Sequence, residues 1–552
     1  MPLVKEPEAQ IVRVMTALQV DEEPSPVTVK SEARLEMLGY NQELKRDISM
    51  FETFGFAFSI MGVLPSIAST IFYNLPYGGP VAMTWGWLLA GFLILFVGGA
   101  MADLASSMPT SGGLYYWTHR LAHPDYRDFL AWMVGYNSFL GNISAVSSLA
   151  WATSGVIYAA VSINDNSFTA STAQVFGLYI GILILMGVFC AYGTNILARL
   201  QTPSVILNVL LLLVTIIGLP IAMRKDLNSA SYTFGGWENL TGWNNGFAFI
   251  LSFLAPVWTI CSFDSAVSIS EEATNAAIAV PVAIVGAIGS ATITGFAVLV
   301  IFALTMGSDI EAVYNSDIGQ PLAYIYNRAF GVKGSLAIWS FMCIAELMMT
   351  ASLTLPASRQ AFAFARDGAL PFSNYFYSVN SKTNTPVRTV WLVVILAMPL
   401  GLLGFANDAA INAIFSLAII GPYCAYAIPI ACRVFAKEGA FIPGPWFLGR
   451  FSKPIAVIAL IWMIFACIIF CFPADTNTDA ASMNYAIVVA AAVWTFAIAY
   501  WYLPKIGGKT FFKGPQTHSV SFVEYGTESR GRTMAEEEEV NGPEDSSDVK
   551  KV

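Results

Sequence analysis

Twelve stretches of the chain are mostly apolar over about twenty residues, the length a helix needs to cross the hydrocarbon core of a bilayer. They lie at roughly 51–72, 81–106, 129–161, 174–194, 201–223, 247–269, 279–306, 334–358, 388–405, 409–431, 454–473 and 483–503, here spans 1 to 12. Polar segments flank them. The first 48 residues hold no apolar run fit for a signal peptide, so no cleavage is expected. From about Pro515 the chain is polar and acidic, with the run Glu536-Glu537-Glu538-Glu539. Such a segment buries too little surface to fold and is expected to be disordered. The pattern divides the chain into an N-terminal segment 1–48, a membrane domain 49–505 and an acidic tail 506–552.

Composition supports lipid as the solvent. Of the 552 residues, 56% are hydrophobic and 12% charged, against about 45–50% and about 25% in soluble proteins. A net charge of −9 argues against a nucleic-acid partner, which wants basic surface. The seven cysteines all fall in or beside apolar stretches and read as small hydrophobes, without the spacing of a disulfide framework or a metal site. The chain is an all-α, polytopic membrane protein.

Charge also sets orientation, because Lys and Arg gather in cytoplasmic loops. With the N-terminus inside, 24 of the 28 basic residues fall on the cytoplasmic side. Only Arg224, Lys225, Arg328 and Lys333 fall outside, against nine acidic residues over all the outer loops. Both termini are therefore expected in the cytoplasm, with a plasma-membrane location. One sequon, Asn239-Leu240-Thr241, lies in the outer loop between spans 5 and 6. The terminal segments, with Lys5, Lys30 and Lys45, are candidate sites for regulatory machinery.

A weak internal echo suggests a repeat. Leu114-Tyr115-Tyr116-Trp117-Thr118-His119-Arg120 precedes span 3, and Leu322-Ala323-Tyr324-Ile325-Tyr326-Asn327-Arg328 precedes span 8. One lies on the cytoplasmic side and the other outside, as an inverted five-plus-five repeat requires. Its halves would be about 49–223 and 247–431, with spans 11 and 12 (454–503) added.

Candidate chemistry sits where a span is interrupted. Span 1 reads Ser59-Ile60-Met61-Gly62-Val63-Leu64-Pro65, and Gly and Pro at mid-span favour either a break or a kink. Span 6 carries Trp258, Ser262, Asp264 and Ser265. A carboxylate inside a span costs about 3 kcal/mol, so Asp264 is expected to face a cavity; the alternative is a helix-end cap. The Trp258 ring suits a cationic ammonium, or else belongs to a lipid-facing aromatic belt. Glu346 in span 8 sits among apolar neighbours, which suits either a proton carrier or a structural hydrogen bond. Asp103 near the end of span 2 reads as structural. Asn137, Asn142, Gly135 and Gly141 in span 3 read chiefly as packing residues. No Lys, Arg or His falls mid-membrane, so a proton relay must use carboxylates, hydroxyls or water. No nucleophile–base pair marks an enzyme.

Several motifs resemble the amino acid–polyamine–organocation transporter superfamily, and within it the fungal amino acid/choline transporters that include GABA permeases. They are Asp103-Leu104-Ala105-Ser106-Ser107-Met108-Pro109-Thr110-Ser111-Gly112-Gly113 after span 2, Ser270-Glu271-Glu272-Ala273-Thr274-Asn275 after span 6, and Ala357-Ser358-Arg359-Gln360 with Arg366-Asp367-Gly368-Ala369-Leu370-Pro371 between spans 8 and 9. The similarity runs over roughly residues 38–505. It implies the inverted-repeat fold with helices 1 and 6 unwound at the midplane. It places a substrate carboxylate at the amides of Ser59 to Val63, Trp258 as an aromatic gate beside Ser262, Asp264 at a gating or coupling position, and Asn142 near the substrate. Some proton-coupled relatives carry a lysine in helix 5, where this chain has Asn208. The implied function is import of an amino acid or amine, most concretely a GABA-like zwitterion, with the proton as coupling ion and no cofactor. Choline or a polyamine is the alternative substrate, and a non-transporting nutrient sensor the alternative class.

Overall fold

The computed structural model describes residues 46 and 48–515, except 166, 193, 381, 382, 384, 407, 438 and 477–482. Most of the N-terminal segment, with its three candidate lysines, and the acidic run of the tail lie outside the described residues. Among the described residues the structure is helical, apart from two isolated bridges, Ile48 to Ala273 and Tyr77 to Asn239.

Among the described residues ten helices are long and apolar enough to cross a membrane, and two shorter apolar ones, Asn245–Thr259 and Ala486–Tyr502, occupy spans 6 and 12. Their bounds follow the hydrophobic pattern closely: span 1 is Met50–Tyr73, span 2 Gly79–Ser107, span 3 Arg127–Asn164 and span 7 Ala276–Thr305. Span 8 extends much further than its apolar stretch, over Pro321–Arg366. Its first turns are a separate short helix, set off by Gly331 at φ 66, ψ 175.

That extra helix carries one copy of the echoed motif; the other copy lies in Gly113–Leu121, just before span 3. Spans 3 and 8 run antiparallel. Asn142 pairs with Gln360, Thr153 with Glu346, and Val156 with Trp339, so one numbering rises as the other falls. The two short helices therefore sit at opposite ends of this pair, the placement that an inverted repeat demands. We call the end where span 1 begins the basic face, and the opposite end the acidic face.

Packing follows from the absence of a hydrophobic drive between helices in lipid, where close contact through small residues does the work instead. A Cβ on Gly421 of span 10 (Asp408–Phe435) would lie 2.6 Å from the Cα of Gly141 in span 3. A side chain on Gly135 would enter the Phe364 ring, and one on Gly295 of span 7 would enter Trp87 of span 2. Span 7 packs along spans 1 and 2, while span 3 packs along spans 8 and 10. The packing reading of Gly135 and Gly141 is what the structure shows.

Candidate functional site

Span 1 is two helices. Met50–Met61 begins with a capping box, in which Ser49 and Glu52 exchange hydrogen bonds, and stops at Gly62. Gly62 is left-handed at φ 42, ψ 61, a conformation that costs a residue with a Cβ about 1–2 kcal/mol. Val63–Thr70 then starts a new helix, with Pro65 in its first turn. The first amides of a helix have no partner within it, so Val63 and Leu64 present N–H groups at mid-membrane. Pro65, having no N–H, leaves one fewer to satisfy.

Span 6 breaks more fully. Leu254–Thr259 is followed by extended and turn residues before the single turn Ser265–Ser268. Ser262 is left-handed at φ 60, which a non-glycine residue adopts rarely. Such backbone persists only where its surroundings hold it, and it collects at functional sites.

The two breaks face one another across a cavity of about 30 Å3, lined by Ile60, Met61, Trp258, Ser262, Met349 and Leu353 among others. Trp258 is its roof. The indole Nε1 donates to Ser148 Oγ at 3.1 Å, and the ring lies 5.3 Å from Phe415. Phe415 in turn lies 5.0 Å from Tyr73, so three rings from spans 6, 10 and 1 form a layer. Above this layer a vestibule of about 630 Å3 opens toward the acidic face, with Tyr77, Trp151, Tyr314, Gln320 and Asp475 among its walls.

Below the cavity the path is shut by several contacts. Asn142 Nδ2 donates to Gln360 Oε1 at 3.0 Å. Asp264 is half-buried beside the Tyr426 hydroxyl. Nearer the basic face, Glu271 accepts from the amide and the hydroxyl of Ser111 at 3.0 and 2.6 Å. Glu272 lies 3.7 Å from Arg359, and the backbone around it pairs with Ile48 ahead of span 1. The conformation is closed toward the basic face and stopped toward the acidic face by one aromatic layer.

The candidate residues therefore divide by place. Ile60, Met61, Trp258 and Ser262 line the cavity, while Gly62 and Val63 make the break beside it. Ser59 turns away to Ser204 of span 5, 3.2 Å between hydroxyls, and Asn208 bonds back to the Ser204 carbonyl at 3.0 Å. Asn142 and Asp264 belong to the closure below. Glu346 is fully buried on the vestibule side, with Oε1 2.7 Å from Ser69 Oγ and Oε2 3.4 Å from Thr153 Oγ1. Asp103 accepts from the Leu448 amide at 3.0 Å, a structural tie to the loop between spans 10 and 11. Phe415, Tyr73, Ser148 and Met349 complete the site without a local signal in the sequence. Each is an ordinary membrane-helix residue until three or four helices meet. Among the described residues no cluster of three metal-ligating side chains occurs.

Among the described residues, ten long and two shorter apolar helices, with spans 1 and 6 broken opposite one another around a small cavity, define a multi-pass membrane transporter. The chain belongs to the amino acid permease family, whose model matches residues 48–493. It is similar to an uncharacterized amino-acid permease of Schizosaccharomyces pombe, 38% identical over 480 residues that cover 87% of this chain and 86% of that one. It is 37% identical to a GABA-specific permease of Saccharomyces cerevisiae over 498 residues, 89% of this chain and 86% of the relative. Amino-acid permease 2 of Neurospora crassa is 33% identical over 496 residues, covering 89% and 90%. These relatives are named as permeases, and this chain is a transporter, not an enzyme.

Proposed function

We propose that the protein imports a GABA-like zwitterion with protons across the plasma membrane, with both termini in the cytoplasm. The observation that carries this reading is the cavity between the two breaks. On one side it is lined by Ile60, Met61 and Ser66, which flank the helix start at Val63, and amides at the positive end of a helix suit a carboxylate. On the other it meets the face of Trp258, which suits an ammonium group. The GABA-specific relative supports the substrate class.

At about 30 Å3 the cavity has room for a water or two, far below the roughly 300 Å3 or more of ordinary ligand pockets. Substrate entry must therefore move the ring layer, which ties binding to a conformational change. Alternating access follows if spans 1 and 6 rock against spans 3, 4, 8 and 9, opening the aromatic layer and the basic-face closure in turn.

Uptake of labelled GABA by vesicles holding the protein tests the reading, with a protonophore collapsing accumulation. Uptake indifferent to the proton gradient refutes the coupling. Because Trp258 suits an ammonium group alone, choline and a polyamine belong in the competition panel. Displacement by choline but by no amino acid would replace the substrate assignment.

A further inference from the structure

The hydroxyls around Glu346 can be counted hydrogen by hydrogen. Ser69 Oγ has one, with Pro65 O at 3.1 Å and Glu346 Oε1 at 2.7 Å as acceptors. Thr153 Oγ1 has one, with its own Leu149 O at 2.7 Å, Thr350 Oγ1 at 3.1 Å and Glu346 Oε2 at 3.4 Å within reach. Thr350 gives its hydrogen to the backbone carbonyl of Glu346 at 2.8 Å. An ionised Glu346 would thus have one good donor at most, taken from Pro65. Among the described residues it would also have no cation: the groups around it are Ser69 from span 1, Thr153 from span 3, and Cys343 and Thr350 from its own helix. A buried charge so poorly partnered is costly.

A protonated Glu346 closes the count. Its O–H donates to Ser69 Oγ at 2.7 Å, and the Ser69 hydrogen is free for Pro65 O. Each hydroxyl hydrogen then has an acceptor. Place adds to this. Ser69 lies on the outer half of the broken helix and also lines the vestibule, whereas Thr153 and Glu346 belong to spans 3 and 8. The carboxyl group bridges the part proposed to move and the part proposed to stay.

We propose that Glu346 carries the coupled proton and that Ser69 is its relay and positional sensor, an assignment that rests on the proton-coupled reading above. With the vestibule open, hydronium gives a proton to Ser69 Oγ as the Ser69 hydrogen passes to Glu346 Oε1, leaving water. Rocking of span 1 withdraws Ser69, and the carboxyl O–H loses its acceptor. The proton then leaves Glu346 for water in the cavity opened to the basic face, and Glu346 returns to the carboxylate that the next cycle reloads.

The test uses the full chain in proteoliposomes with labelled GABA. Glu346→Gln keeps shape and neutrality but cannot release a proton. Accumulation under an inward proton gradient should fall to an internal-to-external ratio near one, while exchange of labelled for unlabelled substrate at equal pH continues at a reduced rate. Ser69→Ala keeps the acid and removes the relay, so its uptake–pH profile should move by about one pH unit or more. Gradient-driven accumulation by Glu346→Gln at the wild-type ratio overturns the assignment and leaves proton coupling standing. An intact chain that exchanges substrate without responding to the gradient overturns both. If Glu346→Gln fails to insert, Ser69→Ala decides alone, and a profile superimposable on wild type rejects the proposal.

Discussion

Three residues around the cavity differ in what a substitution takes away. Gly62→Ala asks a Cβ to adopt φ 42 and to share space with the Met349 sulfur. Backbone strain alone costs about 1–2 kcal/mol, so uptake should fall by at least about tenfold while membrane insertion persists. Trp258→Phe keeps the ring against Phe415 and loses only the hydrogen bond to Ser148. A net bond of about 0.5–1.5 kcal/mol predicts a KM raised roughly two- to tenfold, and Trp258→Ala a greater loss, both read from uptake kinetics. Asp264 sits below the cavity, so Asp264→Asn should abolish accumulation yet leave surface abundance unchanged. Normal accumulation would remove it from gating. Asp264 and Glu346 stood out one residue at a time, because a carboxylate in an apolar run needs a reason; Trp258 stood out only as an aromatic near Asp264. Their division between roof, lower side and a buried contact behind Ser69 was not legible, because depth along a helix does not say which neighbour a side chain meets.

Among the elements, the contact of spans 3 and 10 is the most exacting. Gly141 and Gly421 meet backbone to backbone, with Pro422 also against Gly141. Gly421→Val forces the helices apart, and overpacking of this kind costs about 1–3 kcal/mol, which thermal unfolding in detergent should register as a lower midpoint. The loop between spans 5 and 6 shows another kind of constraint. Asn239 pairs by backbone with Tyr77, and its Nδ2 donates to Trp243 O at 2.7 Å and to Asn245 Oδ1 at 3.2 Å. The sequon asparagine is thus engaged in holding the loop, and Asn239→Gln should leave electrophoretic mobility unchanged. Span ends were readable within a few residues because length and apolarity set them. The extension of span 8 back to Pro321 was not, because a short interfacial helix carries no membrane-length signal.

For the molecule as a whole, the two closures are unequal. The acidic-face closure is one layer of rings, Tyr73, Phe415 and Trp258, whereas the basic face adds side-chain and backbone ties. The Glu272–Arg359 pair is partly exposed at 3.7 Å, and such pairs contribute about 0–1 kcal/mol. Arg359→Gln should therefore shift the balance between open states by fivefold at most. Labelling of a cysteine placed below the cavity measures that shift, and a larger effect would mean that the pair acts within a wider network.

The sequence by itself determined the membrane class and the approximate places of the apolar helices, because hydrocarbon solvent acts locally. At span 1 its glycine and proline left a break and a kink both open, and the unwinding of span 6 rested on the family resemblance. The sequence also exposed the few acids that lipid makes expensive. Only the tertiary structure decided that the breaks face one another, that Asn142 meets Gln360 and Asp264 meets Tyr426, and that Glu346 bridges spans 1, 3 and 8. These are contacts between helices hundreds of residues apart in the chain. In a bilayer such contacts are chosen by shape and hydrogen bonding between faces, a property of pairs of helices that no single apolar stretch carries.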